Sequence, residues 1–274
     1  MKRISIGGCC MVIIGVFCLF LSLVAFWQMG GFGSELERDL VILDRPVVLP
    51  ENEGKLVAVI GDVTAKDEYI VDPYFRIKVK SPVLRRQVMM YQWDKDSNDD
   101  SYRGAWSGKL ESGDVGYRNP GKFPYEDKKF FAELYLGEFK ITEDKFQYVS
   151  TNNSIKNLRE SEAREHGLTV INGAYQTPYT LVPRIGDVKI TFKYADPFEG
   201  VTMIGKQKGN TLEEYVNVKG RKINELWFEK MNKAQIIEKF EDGDIMASVV
   251  CIVLTVIFLG GGIYFIRNKY KENA

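Results

Sequence analysis

Histidine and cysteine are scarce where chemistry would need them. The 274-residue chain has one histidine, His166, and four cysteines. Cys9, Cys10 and Cys18 fall in an apolar run near the start, and Cys251 falls in another near the end. The polar body between them has none, so it holds no disulfide, no cysteine nucleophile and no multi-histidine metal site. A body of about 215 residues buries enough surface to fold without disulfides. Net charge is absent too: 37 basic residues balance 37 acidic ones. A nucleic-acid-binding chain shows a basic excess or stripe, so that class is set aside. No glycine-rich phosphate loop is present, and serines and lysines fall in no catalytic motif. The catalytic, cofactor and metal assignments are therefore none, and an enzyme is not expected.

Long uncharged runs are what the chain does have. Residues 5–27 carry no charge and exceed the roughly 20 apolar residues that cross a bilayer as a helix. Residues 245–266 form a second such run. Helices are expected in both, because only intra-segment hydrogen bonds satisfy a backbone away from water. In the second run Ala247, Cys251 and Thr255 recur every four residues, a face of small side chains on which another helix can pack.

Charge flanks set an orientation. Lys2 and Arg3 precede the first run, and Arg267, Lys269 and Lys271 follow the second. The inner flanks are acidic, with Glu35, Glu37 and Asp39 on one side and Glu238, Glu241, Asp242 and Asp244 on the other. Basic flanks stay in the cytoplasm, so both termini are expected there and the body outside it: periplasmic, extracellular or lumenal. A bacterial cell membrane is favoured over the endoplasmic reticulum or nuclear envelope. Cleavage after Gly31, Phe32 and Gly33 is the rival for the first run, although a signal-peptide core is shorter. Cys9 and Cys10 near a basic terminus also fit S-acylation in a eukaryotic host.

The expected fold class is an α+β membrane protein. Two transmembrane helices (5–27 and 245–266) flank a β-rich extracytoplasmic domain (34–220). An amphipathic juxtamembrane helix (221–242) and a cytoplasmic tail (267–274) complete the chain. Strands are read at 56–60, 74–80, 83–93 and 187–194, with 102–109 as the hairpin partner of 83–93 and 201–206 beside 187–194. In 187–194, Val188, Ile190, Phe192 and Tyr194 alternate with Lys189, Thr191 and Lys193. In 83–93 the parity is mixed. A short helix is read over 155–166, with Gly167 capping it in a left-handed conformation. Ile223, Leu226, Trp227, Met231, Ala234, Ile237 and Phe240 step by three and four, which predicts the amphipathic helix. Isoleucine or leucine before glycine and an acid recurs at residues 60, 136 and 185, read as three strand starts at unequal spacing.

Three smaller patterns have bland readings beside sharper ones. The loop Asp94, Asp96, Asn98 opens like a calcium loop, but Asp99 stands where glycine belongs and Ala105 where glutamate belongs. Asn152, Asn153 and Ser154 form a glycosylation acceptor. His166 near a helix end reads as a surface residue.

One stretch carries a resemblance. Val83, Leu84, Arg85, Arg86, Gln87, Val88, Met89, Met90, Tyr91, Gln92 and Trp93 are similar to a segment of the transmembrane protein 43 family, also called LUMA. Trp106, Asn119 and Pro120, residues 136–139, 185–194 and 204–209 follow in the family's order. The likeness covers roughly 56–266. It implies a membrane protein with a large lumenal or extracytoplasmic domain between its first two spans. Eukaryotic members are linked to the endoplasmic reticulum, the inner nuclear membrane, lamins and emerin, and they self-associate. This chain has Met89 where the family has an acid, and two apolar runs where eukaryotic members have four, which fits a prokaryotic member. The implied function is a non-enzymatic scaffold or organiser of the membrane or envelope. The implied partners are the lipid bilayer, further copies of the chain and other membrane or envelope proteins. A receptor module for lipid or cell-wall material is the alternative.

Overall fold

The computed structural model describes residues 6–29, 32–43, 45–96, 101–179 and 181–272. In chain order, α1 (Ile6–Met29) and α2 (Phe32–Asp39) precede β1 (Val41–Leu43) and β2 (Leu56–Ala65). Next come β3 (Ile70–Asp72), β4 (Ile77–Val79), β5 (Val83–Lys95), β6 (Tyr102–Ser107), β7 (Lys128–Phe131), β8 (Leu134–Leu136) and β9 (Phe139–Ile141). After β10 (Asn153–Ser154) come α3 (Glu160–Glu165), β11 (Thr169–Ile171), β12 (Ala174–Gln176) and β13 (Val188–Tyr194). The chain closes with β14 (Gly200–Lys208), β15 (Thr211–Glu213), β16 (Tyr215–Val216), β17 (Lys222–Ile223), β18 (Glu225–Trp227) and α4 (Lys233–Glu272). The body is mostly strand.

The fold divides into two compact units, one holding the chain up to Ile60 and from Thr202 onward, the other Gly61–Val201. In the first unit β1 runs parallel to β2, and β14 pairs antiparallel with β15 and β18. Leu36 of α2, Leu40 just after it, and Ile236 and Phe240 of α4 pack with Leu56, Ala58 and Ile204 of the sheet. Thr202 joins β14 to the approach to α4: its Oγ1 donates to Glu229 O at 2.8 Å and accepts from Met231 N–H at 2.9 Å.

Helices α1 and α4 run antiparallel and pack together. Gly15 is buried, and a Cβ there would lie 2.6 Å from Leu259 Cγ. Thr255 is buried as well, whereas Phe17, Phe20, Val256 and Ile263 turn outward and are exposed. Small residues at the seam let the backbones approach and leave the large apolar side chains facing away.

In the second unit β5 is central. It pairs antiparallel with β13 along seven positions, Val188↔Met90 to Tyr194↔Leu84, and with β6 and β7. The last residues of β2, Val63–Ala65, pair with β8, which hairpins to β9. Val88, Met90, Ile190, Phe192, Phe75 and Tyr175 form the core. Each such fully buried side chain stabilises the fold by about 1.5–3 kcal/mol.

Several expectations are corrected. Two transmembrane helices are not supported: among the described residues no helix is long and apolar enough to cross a membrane. The amphipathic helix over 221–242 is also not as expected. Ile223 lies in β17 and Leu226 and Trp227 in β18; the helix starts at Lys233 and passes through 242–244 without a break. Residues 74–76 are a turn, because Asp72 Oδ1 accepts from Tyr74 N–H at 2.9 Å and Phe75 N–H at 3.3 Å, so only Ile77–Val79 is strand. β14 is not beside β13; it belongs to the other unit's sheet. The helix read over 155–166 shortens to Glu160–Glu165, while Gly167 takes the expected left-handed φ of +70°. The three glycine–acid phrases differ: Gly61 is inside β2, Gly137 turns β8 into β9, and Gly186 precedes β13.

Candidate functional site: the aromatic hairpin of β5 and β6

The β5 strand explains its own mixed parity. Leu84, Arg86, Val88, Met90 and Gln92 are all buried, and two of them are polar with built partners. Gln92 is fully buried; its Nε2 donates to Lys109 O at 2.8 Å and its Oε1 accepts from Glu111 N–H at 3.1 Å. A buried amide is tolerated only when so satisfied. Gln92 thereby holds the segment that leaves β6.

The opposite parity is half-buried and aromatic. Tyr91 stands across from Trp106 in the ladder, their rings edge to face with centroids 5.4 Å apart. Trp93 meets Tyr117 edge to face at 5.1 Å, and Tyr117 stacks on Tyr102 at 4.3 Å. Edge-to-face and stacked rings each add roughly 0.5–1.5 kcal/mol beyond area burial. Opposite Trp93 is Gly104, where a Cβ would lie 2.6 Å from the Tyr91 ring, so the absence of a side chain gives Tyr91 its place.

Asn119 closes this arrangement. Trp93 N–H donates to its Oδ1 at 2.7 Å, and its Nδ2 donates to Trp93 O at 2.9 Å and to Glu111 O at 3.2 Å. On the same edge of β5, Tyr91 N–H donates to Asp187 O and Gly186 N–H to Tyr91 O, both at 2.8 Å. Gly186 has φ of +98°, a conformation that favours glycine, and a Cβ there would lie 3.4 Å from Pro120 Cγ. The structure thus gathers Tyr91, Gln92, Trp93, Trp106, Asn119, Pro120, Gly186 and Asp187 into one place. The sequence reading had taken them as separate stretches in a shared order.

Behind the same strand lies a polar core that the sequence reading missed. Asp72 is fully buried, and Arg86 Nη1 donates to its two oxygens at 3.1 and 3.0 Å. Arg86 Nε donates to Glu126 O at 2.9 Å, and the guanidinium faces Tyr74, Phe75 and Phe130 at 5.4–5.7 Å. Tyr175 is buried beside Glu162, its hydroxyl donating to Oε2 at 3.3 Å; burial first, and that carboxylate second, push the phenol up to about 12. The signal available was a charged residue, Arg86, on the apolar parity of an otherwise buried strand.

The remaining sequence candidates stand apart. His166 follows α3, stacks on Tyr74 at 4.6 Å and places Nε2 3.2 Å from Tyr74 O. Of the acidic loop, residues 97–100 lie outside the described residues, and Ala105 is in β6. Asn153 Nδ2 donates to Asp196 Oδ1 at 2.7 Å, while Asn152 is exposed. Cys10 and Cys18 form no disulfide. Lys2, Arg3 and Gly31 lie outside the described residues, as do the side chains of Cys9 and Cys251. Among the described residues no group of three histidine, cysteine or acidic side chains is placed to hold a metal.

This clustering of the Tyr91–Trp93 segment with Trp106 and Asn119 falls inside the stretch, residues 90–271, that matches the transmembrane protein 43 family. The chain belongs to that family. Transmembrane protein 43 of Rattus norvegicus is 27% identical over 205 residues, covering 63% of this chain and 50% of the relative. The Homo sapiens protein is 26% identical over the same coverage. The Drosophila melanogaster homolog is 26% identical over 196 residues, 61% of this chain and 50% of the relative. The chain spans about half the length of the curated relatives it matches. No solved structure matches it. Within the family's stretch, the hairpin offers a half-exposed aromatic surface.

Proposed function

We propose that this transmembrane protein 43 relative is a non-enzymatic, membrane-held scaffold that assembles with further copies of itself. One observation carries the reading: the paired helices α1 and α4 turn Phe17, Phe20, Val256 and Ile263 outward, each at least 60% exposed. Apolar surface of that extent on a soluble protein marks contact with lipid or with another protein. The half-exposed aromatic face around Tyr91 and Trp93 is the surface offered to envelope partners. A receptor module for lipid or cell-wall material is the second reading: the apolar cleft walled by Val63, Leu134, Pro197 and Phe198 holds only about 170 Å³, but the cleft at Arg76 and Ile155 holds about 330 Å³.

The test uses the full chain in its own membranes. Alkaline carbonate should leave it in the pellet and detergent should release it. With Cys9, Cys10, Cys18 and Cys251 replaced by alanine and Phe17→Cys introduced, oxidation should yield a disulfide-linked dimer. Release by carbonate, or a chain that stays monomeric under oxidation, overturns the proposal.

A further inference from the structure

Between the β3–β4 hairpin and the segment that enters α3 lies a cleft of about 330 Å³. Arg76, Lys78 and Arg159 line it, with Asn157, and Ile77 and Ile155 give it apolar walls. Glu162 is its one carboxylate, so cations prevail three to one. That carboxylate is already engaged, accepting from the Tyr175 hydroxyl at 3.3 Å and from Arg159 Nη1 at 3.4 Å. Arg76 reaches Glu165 at 2.9 Å, where both side chains are about half exposed and the pair exchanges readily with another anion. Among the described residues, the ammonium of Lys78 and the amide of Asn157 have no side-chain partner.

A second observation comes from the backbone. Arg76 closes the β3–β4 turn with φ of +53°. That left-handed conformation is met at no steric cost by glycine and tolerated by asparagine. Asp72 already makes the turn by accepting from Tyr74 and Phe75 N–H. What arginine adds there is not a better turn but a guanidinium at the rim of the cleft. Strain of this kind in a residue with a long functional side chain is a pointer to a site.

We propose that this cleft binds a phosphate ester, held by Arg76, Lys78 and Arg159. A phosphate ester's negative charge matches this cationic lining, and arginine forks fit its oxygens in pairs. The volume exceeds what a lone carboxylate fills, and Ile77 and Ile155 contact the organic part of the ester. A soluble phosphate ester and a phospholipid headgroup share this chemistry.

The experiment is isothermal titration of the full chain in a neutral detergent at low salt, with two probes: glycerol 3-phosphate and dihexanoyl phosphatidic acid. Similar affinity for both identifies a soluble ester as the ligand, and tenfold tighter binding of the lipid identifies the headgroup; either supports the site. Lys78→Glu should weaken binding by about tenfold or more, as loss of one charge-assisted bond does. Arg76→Gly keeps the turn, so its melting temperature should be unchanged or higher while its affinity falls about tenfold. Raising salt from about 0.01 to about 0.15 M should weaken binding as the screening length shortens. No heat from either probe up to about 10 mM, or binding that both variants leave unchanged, overturns the proposal.

Discussion

Trp93 and Asn119 are joined as two strand residues would be, with one partner using its side chain. Trp93 N–H donates to Asn119 Oδ1 at 2.7 Å, and Asn119 Nδ2 returns a bond to Trp93 O at 2.9 Å. The side-chain amide therefore substitutes for a neighbouring strand at the edge of β5. Aspartate has the same shape but offers only acceptors. Asn119→Asp should leave Trp93 O without its donor and set a carboxylate against it. A loss of about 1–3 kcal/mol is expected, read as a lower melting temperature with a weakened aromatic near-ultraviolet signal. An unchanged melt would mean that the ladder to β6 alone fixes this edge.

Asp72 and Arg86 form a pair from which water is excluded, and removing one partner strands the other. Asp72→Ala should cost about 3–5 kcal/mol by thermal unfolding of the full chain. Asp72→Asn should cost less, because its side-chain oxygen can still accept from Tyr74 and Phe75 N–H. Adding Arg86→Met to Asp72→Ala should recover part of the loss. A double variant no better than the single one would show that the Arg86 bond to Glu126 O matters more than the pair.

Acid sensitivity should trace to Glu133. Its carboxylate accepts from Lys66 Nζ at 2.9 Å, Lys140 Nζ at 3.0 Å and the Tyr135 hydroxyl at 2.8 Å. These bonds, Lys66 first and Lys140 next, lower its pKa from 4.5 to about 2. The folded value lies below the unfolded one, so the stabilisation is complete above 4.5 and is lost as pH falls from 4.5 through about 2. Melting temperatures followed from pH 6 to pH 2 should fall less steeply in Glu133→Gln than in the unaltered chain. Equal slopes would count against it.

Two glycines with equally short approaches should respond differently to alanine. A Cβ at Gly205 would lie 2.6 Å from Glu213 O, a backbone atom of the paired strand β15. At Gly104 the same distance is to the tip of the Tyr91 ring, which can swing aside. Gly205→Ala should cost about 1–3 kcal/mol, and Gly104→Ala less, with a change in Tyr91 fluorescence. A larger loss at Gly104 would show the ring to be held as firmly as backbone.

Strands with unbroken alternation were legible from sequence. Val188, Ile190 and Phe192 declared β13, and β5 and β6 paired as a hairpin should. Where spacing misled, another interaction had produced the same pattern. Ile223, Leu226 and Trp227 stand at helical intervals, yet each lies in a strand: buried Ile223 pairs with Tyr215, and the half-buried Leu226 and Trp227 lie against Met203 and Thr202. Tyr74 and Phe75 alternate correctly for a strand, but the Asp72 side chain takes their N–H groups and folds them into a turn. In the candidate site, the segment around Tyr91 stood out by its composition. Its lock did not, since Asn119 lies 26 residues from Trp93 and no local pattern links an amide to a distant strand edge.

Helix α4 has one more implication. Its first turns seat Ile236 and Phe240 in the core beneath β2 and β14, and its later turns lie along α1. One continuous rod of 40 residues therefore belongs to both. There is no swivel at residues 242–244, so tilting the apolar pair must lever the sheet with it, and a load on that sheet reaches α1 as torque.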